Sequence, residues 1–308
     1  MKTLLARTGR LALCLLAGFS LTAWADLPPL SRLLAGGNTL YTAQPGDTLI
    51  GIGARFGVSP ILVAQQNAIP YPGKGAVRNG QRLRIHHPHI VPNGLDDGVL
   101  INIPQRMLFH FNGGRLIASY PVGLGKPSWP TPEGEFRIVS RAKDKTWIVP
   151  RSIQEEMRRE GRPVLQEVPP GPNNPLGKHW LGLSLWGYGI HGTLAPTSIY
   201  QFRSHGCIRL HADNIAELFN AVEVSTPGRL IYQPVLLAVA DDGRILLEVH
   251  RDIYNKGINP ARIVRNLAEA HGLSDRIDWS VADAVVVAQD GVAREVGRAE
   301  QNLWNGET

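Results

Sequence analysis

The chain has 308 residues, 32 Lys and Arg against 26 Asp and Glu, and 43% hydrophobic residues, the balance of a globular protein with one domain of ordinary size and one or two small ones. Its formal charge of +6 is mild, and Lys and Arg are scattered rather than striped along one face, so composition gives no support to a nucleic-acid partner. After the N-terminal stretch no apolar run approaches membrane-spanning length.

At the N-terminus, Lys2, Arg7 and Arg10 precede an apolar stretch from Leu11 to Leu21, and Ala23-Trp24-Ala25 supplies the small-x-small pattern of a cleavage site. Residues 1–25 therefore read as a secretory signal cut after Ala25, which sends the mature chain to the periplasm and takes its charge from +6 to +3 by removing three cations. Cys14 leaves with the signal; Leu13 stands where a lipidated cysteine would want a small residue. The mature protein then keeps one thiol, Cys207, in an oxidising compartment where no internal disulfide can form.

Residues 26–38 read as a loose arm. Tyr41–Gln44 reads as a strand, and Pro45-Gly46-Asp47-Thr48 as a turn whose Asp47 caps a helix through Leu49, Ile52 and Phe56. Ser59-Pro60 starts a second helix through Ile61 and Leu62, and Asn79-Gly80 turns into a strand at Gln81–Ile85. The order strand, helix, helix, strand at residues 40–86, with Tyr41, Pro45-Gly46-Asp47-Thr48-Leu49, Phe56-Gly57-Val58, Asn67 and Gly80-Gln81-Arg82-Leu83, resembles a LysM domain, a small α+β module. The resemblance implies peptidoglycan as a binding partner, through its N-acetylglucosamine-containing backbone. His86-His87-Pro88-His89 follows; three histidines can ligate a metal, but no carboxylate or thiol accompanies them and Pro88 favours an extended linker, so no metal site is assigned.

From Asp97 the pattern is β. Val99–Ile103, Met107–Phe111, Leu116–Val122, Gly134–Ile138 and Leu230–Tyr232 read as strands separated by Gly and Pro turns, and one helix, carrying Ile215, Leu218, Phe219 and Val222, follows the cysteine. Residues 235–308 read as an accessory extension, with a hairpin turn at Asp241-Asp242-Gly243 and a helix starting at Asn259-Pro260.

The chemistry concentrates in Gly189-Ile190-His191-Gly192-Thr193 and Ser204-His205-Gly206-Cys207-Ile208-Arg209. A free cysteine taken alone is usually a small buried hydrophobe. Here Gly206 permits a sharp turn, and His205 and Arg209 make the surroundings positive, the setting of a low-pKa thiol. Cys207 is the candidate nucleophile and His191 the proton donor and acceptor; the Gly192 carbonyl orients the imidazole where another site would use a carboxylate. Gly206 and Cys207 N–H groups, with His205, are candidates for the oxyanion hole, and Ser204 and Arg209 for positioning substrate. The scheme needs no metal and no cofactor.

The same two segments, with Thr131–Phe136 and Asn174-Pro175-Leu176-Gly177, resemble the L,D-transpeptidase catalytic domain, or YkuD domain, at residues 97–234. The resemblance implies a mainly β sandwich or barrel with a helix after the nucleophile, and as substrate a peptidoglycan tetrapeptide stem, cleaved with loss of D-alanine through a cysteine thioester. The acceptor stays open between the amine of another stem, giving a 3-3 cross-link, and the lysine of an outer-membrane lipoprotein. Water as acceptor makes the protein a carboxypeptidase or a hydrolase releasing attached lipoprotein. A wall-binding protein without catalysis is the alternative of a different class, and the intact Cys207 and His191 speak against it.

Overall fold

The computed structural model describes residues 30–71 and 77–298; residues 1–25, where a signal is expected, with Cys14, and residues 299–308, lie outside them. Near the N-terminus, strands Asn38–Thr42 and Arg82–His86 pair antiparallel and frame helices Leu49–Phe56 and Pro60–Gln66. Period-two alternation buries Leu83 and Ile85 beneath Leu49, Ile52 and Val63, while Arg82, Arg84 and His86 face out. The first helix is capped by Thr48, whose hydroxyl accepts from Gly51 N, and not by Asp47. Asp47 instead ties down the turn, accepting from Tyr41 Oη at 2.6 Å and Gln44 N at 2.8 Å. Gly57, in the left-handed region at φ 69°, ends that helix, and Ser59 with Pro60 opens the next.

The mainly β body is an eight-stranded sheet in the order Ile208–Arg209, Gly189–His191, His179–Leu183, Gly134–Lys143, Pro227–Ile231, Gly98–Asn102, Met107–Asn112, Arg115–Pro121. Two neighbour pairs are parallel, Ile208–Arg209 with Gly189–His191 and Pro227–Ile231 with Gly98–Asn102; the others are antiparallel. Helix Ala212–Ala221 lays Ile215, Leu218 and Phe219 on this sheet, completing a core with Ile101, Leu108, Ile138, Leu181 and Ile190. Asp213 sits in its first turn, where a carboxylate favours the helix dipole. A further helix, Arg151–Arg159, lies in the excursion between strands Gly134–Lys143 and His179–Leu183. It buries only Met157 and has no side-chain N-cap, so its sequence carries neither the apolar stripe nor the capping signal of a helix.

Beyond the sheet, strands Val235–Val239 and Arg244–Val249 form the hairpin expected around Asp241–Gly243, joined by a third strand Arg294–Arg298 and covered by helices Pro260–Ala270 and Trp279–Ala288. Asn259 caps the first of these helices by accepting from Arg262 N. The β-branched Val285-Val286-Val287 run disfavours helix locally, but Asp278 caps Ser280 and Val281 and burial of Ala282 and Val285 overrides propensity.

Two expectations about connecting segments are corrected. Residues 30–35 are pinned rather than loose: Leu34–Ala35 pairs with His89–Ile90, and buried Ser31 donates to Val91 O at 2.5 Å. The histidine run is not a plain linker. His89 is 1% exposed, with Nδ1 2.8 Å from Glu248 Oε1 and Nε2 2.8 Å from Gly57 O. Its two ring nitrogens are thus taken up by a carboxylate and a backbone carbonyl far along the chain. Glu248, fully buried, also takes His250 Nε2 at 2.7 Å, Gln105 Nε2 at 3.0 Å and Ile90 N at 2.5 Å. Burial would raise its carboxyl, but attraction to His89 and the hydrogen bonds from His250 and His89 outweigh that and hold it at about 2.

One carboxylate thus joins the N-terminal unit, the catalytic sheet and the C-terminal unit. Glu248→Ala leaves the buried donors His89, His250, Gln105 and Ile90 N without their acceptor, which costs about 3–5 kcal/mol and is read as a lower midpoint in urea. A carboxyl held below its unfolded value of about 4.3 stabilises the fold above that pH and loses its contribution as pH falls toward 2. The urea midpoint of Glu248→Gln is therefore expected to fall less steeply than wild type over that window; parallel curves would show that Glu248 does not carry the acid limb.

Candidate active site

The parallel pairing that closes the sheet sets the site. Ile190 stands opposite Ile208 and His191 opposite Arg209, and Leu210 N donates to His191 O at 2.9 Å. Cys207 directly precedes its strand and so comes level with the strand that carries His191. Two glycines make this approach possible. A Cβ on Gly189 would lie 2.3 Å from the Trp180 indole. Gly206 has φ +100°, and a Cβ there would meet Tyr188 Cε1 at 2.5 Å.

His191 is 4% exposed and stacks on Trp180, centroids 5.8 Å apart and planes at 21°. Its Nδ1 donates to Gly192 O at 2.6 Å, which leaves Nε2 as the unprotonated nitrogen. Burial and the Arg209 charge push the imidazole down to about 4, against the opposing carbonyls of Gly192 and Leu176. It is therefore neutral near pH 7. Beneath it, buried Asn174 accepts from Leu176 N at 2.9 Å and donates to the carbonyls of Lys145, Val168 and Pro169, while Gly177 packs on Gly192.

Cys207 is half-buried. The low-pKa thiol expected from the motif is not what the surroundings produce: burial pushes the thiol up, and the Gly189 N–H and the Arg209 charge only partly oppose it. Sγ lies 3.8 Å from Gly187 O, a weak acceptor contact that suits a thiol.

The remaining motif residues divide. Arg209 stays with Cys207 and His191. It reaches Ser198 Oγ at 3.5 Å, and its Nε is buried without a partner. Ser204 is engaged within the turn; buried, it donates to Cys207 O at 2.6 Å and accepts from Gly206 N at 3.1 Å, bracing it. That bond also occupies the Gly206 N–H expected in an oxyanion hole. His205 is engaged by other partners, its Nε2 2.5 Å from Glu156 Oε2 and its ring edge-on to Trp129. Lys126 and His205 together hold the Glu156 carboxyl at about 2. Glu156 sits on the polar helix Arg151–Arg159, and nothing in its local sequence sets it apart. Trp186, 94% exposed, lies on the loop whose Gly187 carbonyl meets Cys207; an aromatic following Leu185 in Leu185-Trp186-Gly187 carries no local signal of exposure.

Among the described residues no group of three or more His, Cys, Asp or Glu side chains is placed to hold a metal ion, and no helix is long and apolar enough to cross a membrane. The histidines of the run at 86–89 go to separate partners, Asn38, Thr39 and Glu248.

Comparison with known proteins fits this geometry. Residues 96–235 match the profile of the YkuD family, described as the L,D-transpeptidase catalytic domain. The probable L,D-transpeptidase ErfK/SrfK of Salmonella typhimurium is 30% identical over 245 residues, covering 78% of either chain. The probable L,D-transpeptidase YbiS of Escherichia coli K12 is 29% identical over 291 residues, 89% of this chain and 93% of its own. The solved structure of the Ldtfm-avibactam carbamoyl enzyme aligns at 23% identity and TM-score 0.37 over 46% of this chain, which spans about half, 51%, of that chain. By its matched domain and its relatives the chain belongs to the YkuD family of L,D-transpeptidases and is a transferase enzyme.

Proposed function

We propose that the protein is a periplasmic cysteine L,D-transpeptidase that transfers the acyl group of a peptidoglycan tetrapeptide stem through a Cys207 thioester. What supports this is the strand register that sets the segment of the half-buried Cys207 alongside that of the buried His191, whose Nδ1 is tied to the Gly192 carbonyl. His191 Nε2 takes the thiol proton as sulfur attacks the carbonyl carbon of meso-diaminopimelate. Because the resting thiol is raised, proton transfer accompanies attack rather than preceding it. The oxyanion meets the Cys207 N–H. Collapse breaks the C–N bond, and His191 returns the proton to the departing D-alanine amine. An acceptor amine then attacks the thioester, His191 receives its proton, and the thiol is restored. Arg209, a buried cation with an unpartnered Nε, is suited to hold a substrate carboxylate. The acceptor is a second stem or a lipoprotein lysine, and with water the same site is a carboxypeptidase. The unit at residues 40–86 is read as a LysM domain that holds the enzyme to the wall.

Mass spectrometry of stem peptides incubated with the purified protein is the deciding experiment. Cys207→Ser and His191→Ala are each expected to lower D-alanine release by about a thousandfold or more, since nucleophile and base act as a unit; near-normal turnover in Cys207→Ser overturns the thiol mechanism. Alkylation of Cys207 by iodoacetamide should keep rising with pH past about 8.5, where an ordinary cysteine levels off, because burial raises this thiol. A plateau below that pH contradicts the burial argument. In turnover, kcat/KM should fall only as pH drops toward about 4, where His191 becomes protonated and ceases to be a base. For the wall-binding unit, soluble N-acetylglucosamine oligomers should displace the protein from sedimenting peptidoglycan without slowing D-alanine release from a soluble stem. Undiminished pelleting removes the LysM role.

A further inference from the structure

The segment after strand Arg244–Val249 lies outside the residues that match the catalytic family, yet it runs back to the nucleophile loop. Ile253, Tyr254 and Ile258 pack on the core of the catalytic sheet. Asp252 closes the segment on itself, accepting from Tyr232 Oη at 2.7 Å and from Ile258 N at 3.2 Å, and Tyr232 Oη accepts from Tyr254 N at 2.9 Å. The rings of Tyr232 and Tyr254 stack with centroids 5.6 Å apart. Lys256 forms an ion pair with Glu133.

The Tyr254 hydroxyl is thereby aimed at both ends of the turn 125–131. It donates to Gly125 O at 2.8 Å and accepts from Thr131 N at 3.1 Å. Thr131, 2% exposed, carries the connection inward: its hydroxyl accepts from Gly125 N at 2.9 Å and donates to Gly206 O at 2.8 Å. The same turn holds the other side of the loop, with Lys126 N donating to Ser204 O at 3.0 Å. Gly206 lacks a side chain and sits at φ +100°, so little in its own chemistry chooses the tilt of the next peptide. That peptide joins Gly206 to Cys207. In a trans peptide the N–H points opposite to the C=O, so holding Gly206 O on Thr131 fixes the direction of the Cys207 N–H.

We infer that Tyr254 is a positioning residue for catalysis: through Thr131 it locks the Gly206–Cys207 peptide so that the Cys207 N–H is aimed at the carbonyl oxygen of the acyl group. This rests on the reading of Cys207 as the acyl-accepting nucleophile. It gives the C-terminal extension a part in the chemistry, since the turn that grips Gly206 is closed by a residue from that extension.

Removing one direct oxyanion donor costs about a hundredfold to a thousandfold in other acyl-transfer enzymes; loosening its support should cost less. Tyr254→Phe keeps the ring stack and removes only the hydroxyl. It is expected to lower kcat for D-alanine release about tenfold, with KM within about twofold. Iodoacetamide alkylation of Cys207 develops no oxyanion and is expected to run at the wild-type rate. Thr131→Val should lose at least as much as Tyr254→Phe, Thr131→Ser should regain most of it, and the double variant Tyr254→Phe/Thr131→Val should be no slower than Thr131→Val, because the two act in series. If Tyr254→Phe releases D-alanine as fast as wild type, or if release and alkylation slow equally, the inference is overturned and Tyr254 only holds the fold. Should Tyr254→Phe not fold, the Thr131 pair decides by the same two rates. Wild-type protein that still releases D-alanine after Cys207 is fully alkylated would instead overturn the nucleophile reading on which the inference rests.

Discussion

Two short strands meeting in parallel, Gly189–His191 and Ile208–Arg209, set the conditions for everything else in the site. A parallel pair needs a crossover between its strands, and here the crossover carries residues 192–207 around to bring the end of a turn, Cys207, alongside the start of the strand that carries His191. Cys207 thereby stands just before the ladder and not within it. Neither strand could approach so closely with ordinary side chains, since Gly189 lies against the Trp180 indole and Gly206 against the Tyr188 ring. The same Trp180 ring stacks on His191, so the residue that demands the first glycine also orients the base.

The electrostatics follow from that packing. Sinking an imidazole among Trp180, Leu176 and Gly192 disfavours its charged form, and Arg209 adds to the effect, while burial disfavours the thiolate. The resting pair is consequently thiol and neutral imidazole. Such a pair is slower to react with adventitious oxidants than a standing thiolate. Against that burial, the Arg209 charge favours the thiolate.

Around the catalytic sheet the chain is held as one piece by polar contacts at its seams. Glu248 receives donors from the linker, from the catalytic sheet through Gln105 and from its own unit through His250, and His89 passes the connection to Gly57 at the end of a helix of the N-terminal unit. Arg55 of that helix also meets Asp213 of the helix after Cys207. The first is buried and sensitive to loss of a partner; the second is exposed and worth little.

What could be read from the residues alone was local and chemical. Ser59-Pro60 and Asn259-Pro260 announced helix starts, Asp241–Gly243 a hairpin, and period-two alternation the strand at Arg82–His86, because capping, turn and alternation signals act within a few residues. The unpaired Cys207 with Gly206 beside it, and a distant His191, marked a site by residue type. Partner choice was beyond reach. Asp47 yielded the cap to Thr48, Ser204 turned inward to brace the loop, His205 turned to Glu156, and His89 became a buried partner of Glu248 rather than a linker residue. Each outcome depends on a group far along the chain, and so does the direction in which Cys207 titrates, because burial is a property of the packed structure and not of the motif. The sequence determined which side chains could do chemistry; only the tertiary structure, by choosing which of them are buried and which polar groups face them, decided their charge, their orientation and the part that the C-terminal segment plays beside them.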